Sequence, residues 1–388
     1  MNELPLEIPL KNFHEANGAK MVPFAGFNMP INYKPGIINE HKNVRNHSGI
    51  FDVSHMGQVL IEANNLHIKN LEKYIPLKLN NLRKNKSNYT FLLNENGGVV
   101  DDLIVSLIDI NSKSFLYVVY NASRKNEDEN IFFKCAQNVQ ILHVKNCLFA
   151  IQGPESIEVL KNIIELPSDM NFLDISILEY KKNDIIVSRS GYTGEDGFEI
   201  SISTEQAEVF IRDLLENKNT MLCGLGSRDS LRLEAGLSLY GHELNENITP
   251  IEAGLSWALD KDRLNDSTLN GNKILSDQLN NKPSNKKIGL ISVNRTMLRD
   301  GMILFDSNKN NIGKITSGCF SPNLNKSIAI GYINSHFDKE KEIFCEIRNK
   351  MELVKSTSLP FVKKNYKKNG SNNEWKKIYK RSRMGFNW

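Results

Sequence analysis

The chain has 388 residues, 40% of them hydrophobic and 24% charged, a length at which one core gives way to two or three domains and a composition that excludes disordered and fibrous classes. No apolar run reaches the ~18 residues of a membrane span, and the N-terminal MNELPLEIPLKNFHE has neither signal-peptide regions nor an Arg-rich transit pattern, so a cytoplasmic protein without membrane association is expected. The formal charge of +4 belongs to the C-terminus: residues 363–388 hold nine Lys or Arg against one acid, Glu374, leaving 40 basic and 44 acidic residues elsewhere, so the balance does not mark a nucleic-acid-binding body.

Residues 34–45 open on the Pro35-Gly36 turn and continue in a short helical pattern, ahead of an extended run, FDVSHMGQVLIEA from Phe51, that predicts a strand. Two apolar, β-branched runs, YTFLLN and VVDDLIVSLID, are joined by Glu95-Asn96-Gly97-Gly98, the chemistry of a tight hairpin. The strand FLYVVYN and the helix EDENIFFKCAQN follow, so the middle of the chain reads as strands with helices packed on one side, an α+β arrangement. A second hairpin is predicted from IIVSRS and FEISIS around the glycine-rich residues 191–197. Two helices come next, TEQAEVFIRDLLEN capped by Thr204 and SRDSLRLEAG capped by Ser227 and stopped by Gly236. Residues 265–287, rich in Asn, Lys, Ser and Asp, read as a linker, and six short strand-like runs from IGLISV to MELVKSTS predict a small β-barrel or sandwich.

The five cysteines form no C-x-x-C pair and read as reduced thiols, and the eight histidines show neither H-E-x-x-H nor a G-x-S-x-G companion. Residues 224–229 begin like a dinucleotide fingerprint but carry Asp229 at the third glycine position, and a P-loop built on Gly313 and Lys314 would need glycine where Asn308 stands. Asp101 and Asp102 sit at the start of a strand beside the Gly-Gly turn. Strand alternation puts Asp101 on the face of Leu103 and Val105 and Asp102 on that of Ile104, so only one can point into a given pocket. By themselves they are either solvated turn acids or one carboxylate held against a ligand nitrogen. In GYTGEDGFE the acids Glu195, Asp196 and Glu199 would repel a phosphate, whereas a carboxylate suits the N–H edge of an aminopyrimidine; the other reading of Glu199 is a solvent-facing strand residue. Arg228 and Arg232, one helical turn apart, either meet a bound carboxylate or form surface ion pairs with Asp229 or Glu234.

The order and wording of MVPFAGFNMP from Met21, EHKNVRNHSGIFDVSHMG from Glu40, NENGGVVDDLIV, YVVYNAS, AIQGP, GYTGEDGFEI, GLGSRDSLRLEAGLSLYG, ITSGCFSPNL and LPFVKKNY resemble the aminomethyltransferase, or T-protein, of the glycine cleavage system. The resemblance runs from about residue 4 to residue 366. It implies an α+β, three-domain cloverleaf around a central channel. A discontinuous first, folate-binding domain would comprise 1–55 and 150–264, an α+β domain with the catalytic Asp would be inserted at 56–149, and a β-barrel would follow at 285–366. The basic tail at 367–388 departs from the family pattern and reads as a disordered appendage or as an electrostatic aid to docking an acidic carrier.

The activity so implied moves a methylene unit from an aminomethyl group on the lipoyl arm of H-protein to tetrahydrofolate, a co-substrate, with release of ammonia and no metal. A protein monomeric when free is expected. Carried onto this sequence, the family's catalytic Asp falls on Asp101 and the carboxylate that holds the pterin on Glu199. Arg228, Tyr192, Tyr366, Asn121 and Tyr89 are implied as further folate contacts, since the pterin needs aromatic walls and the glutamate tail a cation. Competing resemblances are a folate-dependent demethylase related to the folate domains of dimethylglycine or sarcosine oxidases, and a folate-binding assembly factor for iron-sulfur proteins. The latter carries a K-G-C-Y-type motif where this chain has SRDSLRLEAG from Ser227.

Overall fold

A computed structural model describes residues 4–294, 296–347 and 350–367, and the expected tail from residue 368 onward lies outside the described residues. Three packed units share one cavity, with a small three-stranded sheet at the N-terminus (Leu6–Glu7, Phe27–Asn32, Lys20–Phe24). The first unit is a six-stranded sheet. Its strand Ser48–Asp52 lies between Asn146–Gln152, antiparallel, and Thr220–Leu222, parallel. All five residues of that strand are buried, as a strand covered on both faces requires. The chain leaves this sheet after Asp52 and re-enters at Asn146, so everything between forms an insertion. The run from Phe51 is therefore two strands in two sheets, broken at a turn where Met56 N–H donates to Val53 O.

The inserted unit is a five-stranded sheet in the order Lys86–Leu93, Val99–Ile110, Lys113–Tyr120, Gly57–Glu62, Gln140–Ile141. The helices Asn65–Leu71 and Lys125–Cys135 cover one face, burying Ile68, Leu71 and Phe132 against Val59, Leu103, Val105 and Val118. The hairpin turn at 94–98 forms as its glycines predict. Gly97 adopts φ +75°, and a Cβ on Gly98 would lie 1.8 Å from the Glu246 carbonyl oxygen, so the Gly-Gly pair is a packing requirement as well as a turn. Burial alternates from Val99 to Val105, which sends Asp101 toward the helices and Asp102 away from them.

The third unit is a closed barrel of six strands, from Asn285–Ser292 to Lys350–Thr357, filled by Leu290, Ile315, Ala329, Ile333 and Cys345. The chain then returns to the first unit: Val362 N–H donates to Glu234 O, Asn365 N–H to Gly194 O, and Phe172 N–H to Lys367 O.

Three expectations need correction. Residues 265–287 are not a linker, since they contain the helix Asn272–Asn280 anchored by the fully buried Leu275. The stretch from Leu244 to Leu275 packs on Phe91, Leu93 and Val99 of the inserted hairpin, and the six-stranded sheet resumes with the strand Asn146–Gln152. Helix starts also differ. Ser203, not Thr204, holds the N-cap position of Thr204–Leu215, without a side-chain cap bond, and Gly224 holds that of Leu225–Glu234; Ser227 lies inside the helix, where its hydroxyl donates to Glu40 Oε2 at 2.9 Å. Gly236 does follow the helix end, at φ +67°.

Candidate active site

A cavity of about 3270 Å³ lies where the three units meet, lined by Asp102 and Tyr89 from the inserted sheet, Glu199 and Tyr192 from the first unit, and Ile288 and Ser317 from the barrel. Pockets for single small molecules run to about 1,000 Å³. This one is about three times that size.

The acid pair divides as the alternation demands. Asp102 faces the cavity, its Oδ2 accepting from Tyr89 Oη–H and its Oδ1 from Asn121 Nδ2, each at 2.9 Å. Asp101 is fully buried on the opposite face of the strand and is not part of the cavity wall. Its Oδ2 accepts from Asn121 N–H and its Oδ1 from Asn121 Nδ2, both at 2.9 Å. The structure thus does not bring Asp101, the expected catalytic residue, to the ligand space; the following residue takes that position, because the helix Lys125–Cys135 covers the face that Asp101 shares with Leu103 and Val105. Asn121 bridges the two acids and also lines the cavity. Burial pushes both carboxyls above the ordinary carboxylate range; the charge of Asp101 adds to the rise at Asp102, while Tyr89 and Asn121 oppose it.

The other expected contacts line the same space. Glu199, on strand Gly197–Ser203, accepts from Ser190 Oγ–H at 2.6 Å and is held half-buried at the wall. The Arg228 guanidinium lies 5.0 Å from the Tyr192 ring centroid and 5.9 Å from that of Phe51. Its buried Nη1 has no hydrogen-bond partner, a donor for which a ligand oxygen is the natural acceptor. Tyr192 Oη–H donates to Ser238 O, which fixes the ring beneath the guanidinium. Tyr366 stacks on Phe172 with centroids 4.0 Å apart and planes 7° from parallel, so the returning C-terminal segment supplies an aromatic wall. Tyr89 stacks on Trp257 at 5.7 Å. Arg232 keeps the expected ion pair with Asp229, but not at the surface. It is buried and donates to Asp229 Oδ1, Glu243 Oε2 and Ser317 Oγ, each at 2.8 Å, which ties its helix to the barrel.

Three residues escaped the sequence reading. Trp257, 54% exposed yet on the cavity wall, stands in a stretch with no periodic pattern. Lys287 lines the cavity and donates to Ser238 Oγ at 2.8 Å, burial bringing its ammonium down to about 8. His55, 4% exposed, lies between the rings of Phe24 and Phe27 with an unpartnered Nδ1, and burial keeps it neutral, lowering it to about 3. His55 lies in the turn between the strands Ser48–Asp52 and Gly57–Glu62, and a lone histidine in a sequence has many readings. Among the described residues no cluster of His, Cys, Asp and Glu has metal-binding geometry, and no helix is long and apolar enough to cross a membrane.

Stacked aromatic walls, carboxylates able to accept N–H groups and a buried guanidinium with an unused donor line a cavity shared by three units, the arrangement of a small-molecule site and not of a structural core. The chain belongs to the glycine cleavage T-protein family of aminomethyltransferases: residues 10–263 match the family model described as GCVT N-terminal domain, and 286–363 that described as Glycine cleavage T-protein C-terminal barrel domain. It is similar to the mitochondrial aminomethyltransferase of Dictyostelium discoideum, with 38% identity covering 95% of this chain and 94% of that one. That of Pisum sativum is also 38% identical, covering 92% and 90%. Among solved structures, the glycine cleavage system aminomethyltransferase T of Bartonella henselae superposes with a TM-score of 0.87 at 36% identity, covering 94% of this chain and all of that one.

Proposed function

We propose that this aminomethyltransferase takes the methylene unit of an aminomethyl group carried on the lipoyl arm of H-protein and transfers it to tetrahydrofolate, releasing ammonia. The observation that carries the reading is Asp102, a carboxylate presented to the cavity by two hydrogen bonds. The residues present fit a reduced folate. Glu199 offers acceptor oxygens for an aminopyrimidine edge, Tyr192 and the Phe172–Tyr366 stack offer flat walls, and the unpartnered Arg228 Nη1 offers a donor to a carboxylate. Tetrahydrofolate, when bound, supplies the amine nitrogens that accept the one-carbon unit.

The chain's own part is positioning and proton handling. Asp102 Oδ accepts the proton given up by the attacking amine, and its raised pKa suits a group that exchanges protons near neutrality. Tyr89 and Asn121 hold that carboxylate in one orientation. The two amine protons released balance those required by the departing ammonia and by the thiol of the arm. The demethylase and iron-sulfur readings are not retained, because relatives named as aminomethyltransferases match more than nine-tenths of the chain. Ammonia release from aminomethylated H-protein that depends on added tetrahydrofolate is the expected result; consumption of a methylated amine with no ammonia released from H-protein would overturn the proposal.

A further inference from the structure

Beneath Asp101, in the helix Lys125–Cys135, lies a third acid that no motif had marked. Asp128 is fully buried, and neither of its carboxyl oxygens receives a hydrogen bond from any N–H or O–H donor. Asp128 stands one turn before Phe132, on the helix face that packs on the strand carrying Asp101, and Asp101 is the charged group that acts on it most strongly. Two carboxylates cannot bond to one another unless one carries a proton. Asp101 has both oxygens filled by N–H donors of Asn121, at 2.9 Å each, whereas Asp128 has none. An ionised Asp128 would be a buried charge without a donor, so the proton belongs on Asp128 and points at Asp101.

We propose that Asp128 is a positioning residue for the reaction: it stays a neutral carboxylic acid, donates its hydrogen bond to the Asp101 carboxylate, and through Asp101 and Asn121 fixes the cavity carboxylate Asp102. From Asp101 onward the links are hydrogen bonds of the structure: both nitrogens of Asn121 donate to Asp101, and Asn121 Nδ2 donates to Asp102 Oδ1. A neutral Asp128 steadies Asp101 without adding a third negative charge next to Asp102. The surroundings offer no alternative counter-charge in hydrogen-bond contact. Arg124, on the same helix, lowers Asp128 only at a distance, its own nitrogens going to Val100 O and to Glu246 and Glu127. The remaining groups that face it are Glu127, which raises it, Tyr120, whose Oη–H is given to Glu129, and Tyr240. Consistent with this, burial together with the charge of Asp101 drives the Asp128 carboxyl far above the ordinary range.

The inference rests on the proposed reaction for its functional half, so its test has a spectroscopic half that needs no turnover. Asp128→Asn keeps the shape and supplies an N–H donor in place of O–H; Asp128→Ala removes the donor. In neutral buffer the infrared spectrum of the wild type is expected to contain the carbonyl stretch of a protonated carboxylic acid that is missing from Asp128→Asn. In the ammonia-release assay Asp128→Asn should keep kcat within about threefold, while Asp128→Ala should lose about tenfold to a hundredfold in kcat with little change in KM, the size of one hydrogen bond to a charged group. A protonated-carboxyl band that persists unchanged in Asp128→Asn overturns the proposal whatever the activity. So does an Asp128→Asn enzyme as impaired as Asp128→Ala, or an Asp128→Ala enzyme as active as the wild type. Absence of ammonia release from the wild type with the band difference intact would count against the reaction and leave the assignment of the proton standing.

Discussion

Two groups of buried acids in this chain have opposite electrostatics. Glu234 and Glu243, where the helix Leu225–Glu234 and the loop after it meet the barrel, are as fully buried as Asp101 and Asp128 on the inserted unit. Burial would raise Glu243, but the Arg232 charge and the hydroxyls of Thr316 and Ser317 hold it below its usual value. Glu234 is likewise held low against its burial by His41, by Ser321 and by Arg45. Asp101, Asp102 and Asp128 have only amide and hydroxyl partners and each other, and all three are raised. Cation-paired acids fasten units together, whereas acids stacked without a cation are pushed toward their protonated forms.

The sharpest way to break this contrast is to remove the cation. Arg232→Met should destabilise the fold by about 3–5 kcal/mol, because Glu243 is left buried and unpaired. Denaturant titration is the check, and adding Glu243→Gln should restore a large part of the loss; a single variant as stable as the wild type would mean that the pair fastens nothing. Glu199→Gln tests the cavity acid that lies on the paired side of the molecule. It should raise KM for tetrahydrofolate about tenfold to a hundredfold and leave the melting temperature alone, the loss of one charge-assisted hydrogen bond. An unchanged KM would return Glu199 to the status of a wall residue.

A smaller effect distinguishes the raised acids by sign. A carboxyl whose folded pKa is raised binds its proton more tightly in the folded chain than in the unfolded one. Its contribution to stability is therefore greatest below the ordinary carboxylate range and declines as pH rises toward the folded value. Asp128→Asn cannot ionise, so its melting temperature should exceed that of the wild type by a few degrees at neutral pH, with the gap closing in acid. A gap that widens in acid would show that the shift at Asp128 has the opposite sign.

Much of this was legible in the sequence where the signals are local. The hairpin around Gly97 and Gly98, the strand pair on either side of residues 191–197 and the six barrel strands were each readable from turn chemistry and alternation. Alternation also separated Asp101 from Asp102, but which of them faced the cavity depended on where the helix Lys125–Cys135 packed, a contact that no local pattern encodes. The same holds for Arg232, whose partners Glu243 and Ser317 lie 11 and 85 residues away. Residues 265–287 misled because their helical face rests on little more than Leu275 and Leu279, one turn apart among polar residues, too short a run to show a period.

The central claim is that Asp102, and not its neighbour, is the carboxylate at the reacting centre. Single-turnover release of ammonia from aminomethylated H-protein in the presence of tetrahydrofolate, measured for Asp102→Asn beside Asp101→Asn, tests it most directly. The predicted result is a rate lower by about 10²–10⁴ for Asp102→Asn, the usual contribution of a positioned acid–base group, with a smaller loss for Asp101→Asn. An Asp102→Asn enzyme that releases ammonia at the wild-type rate, or an Asp101→Asn enzyme that is the more impaired of the two, would contradict it.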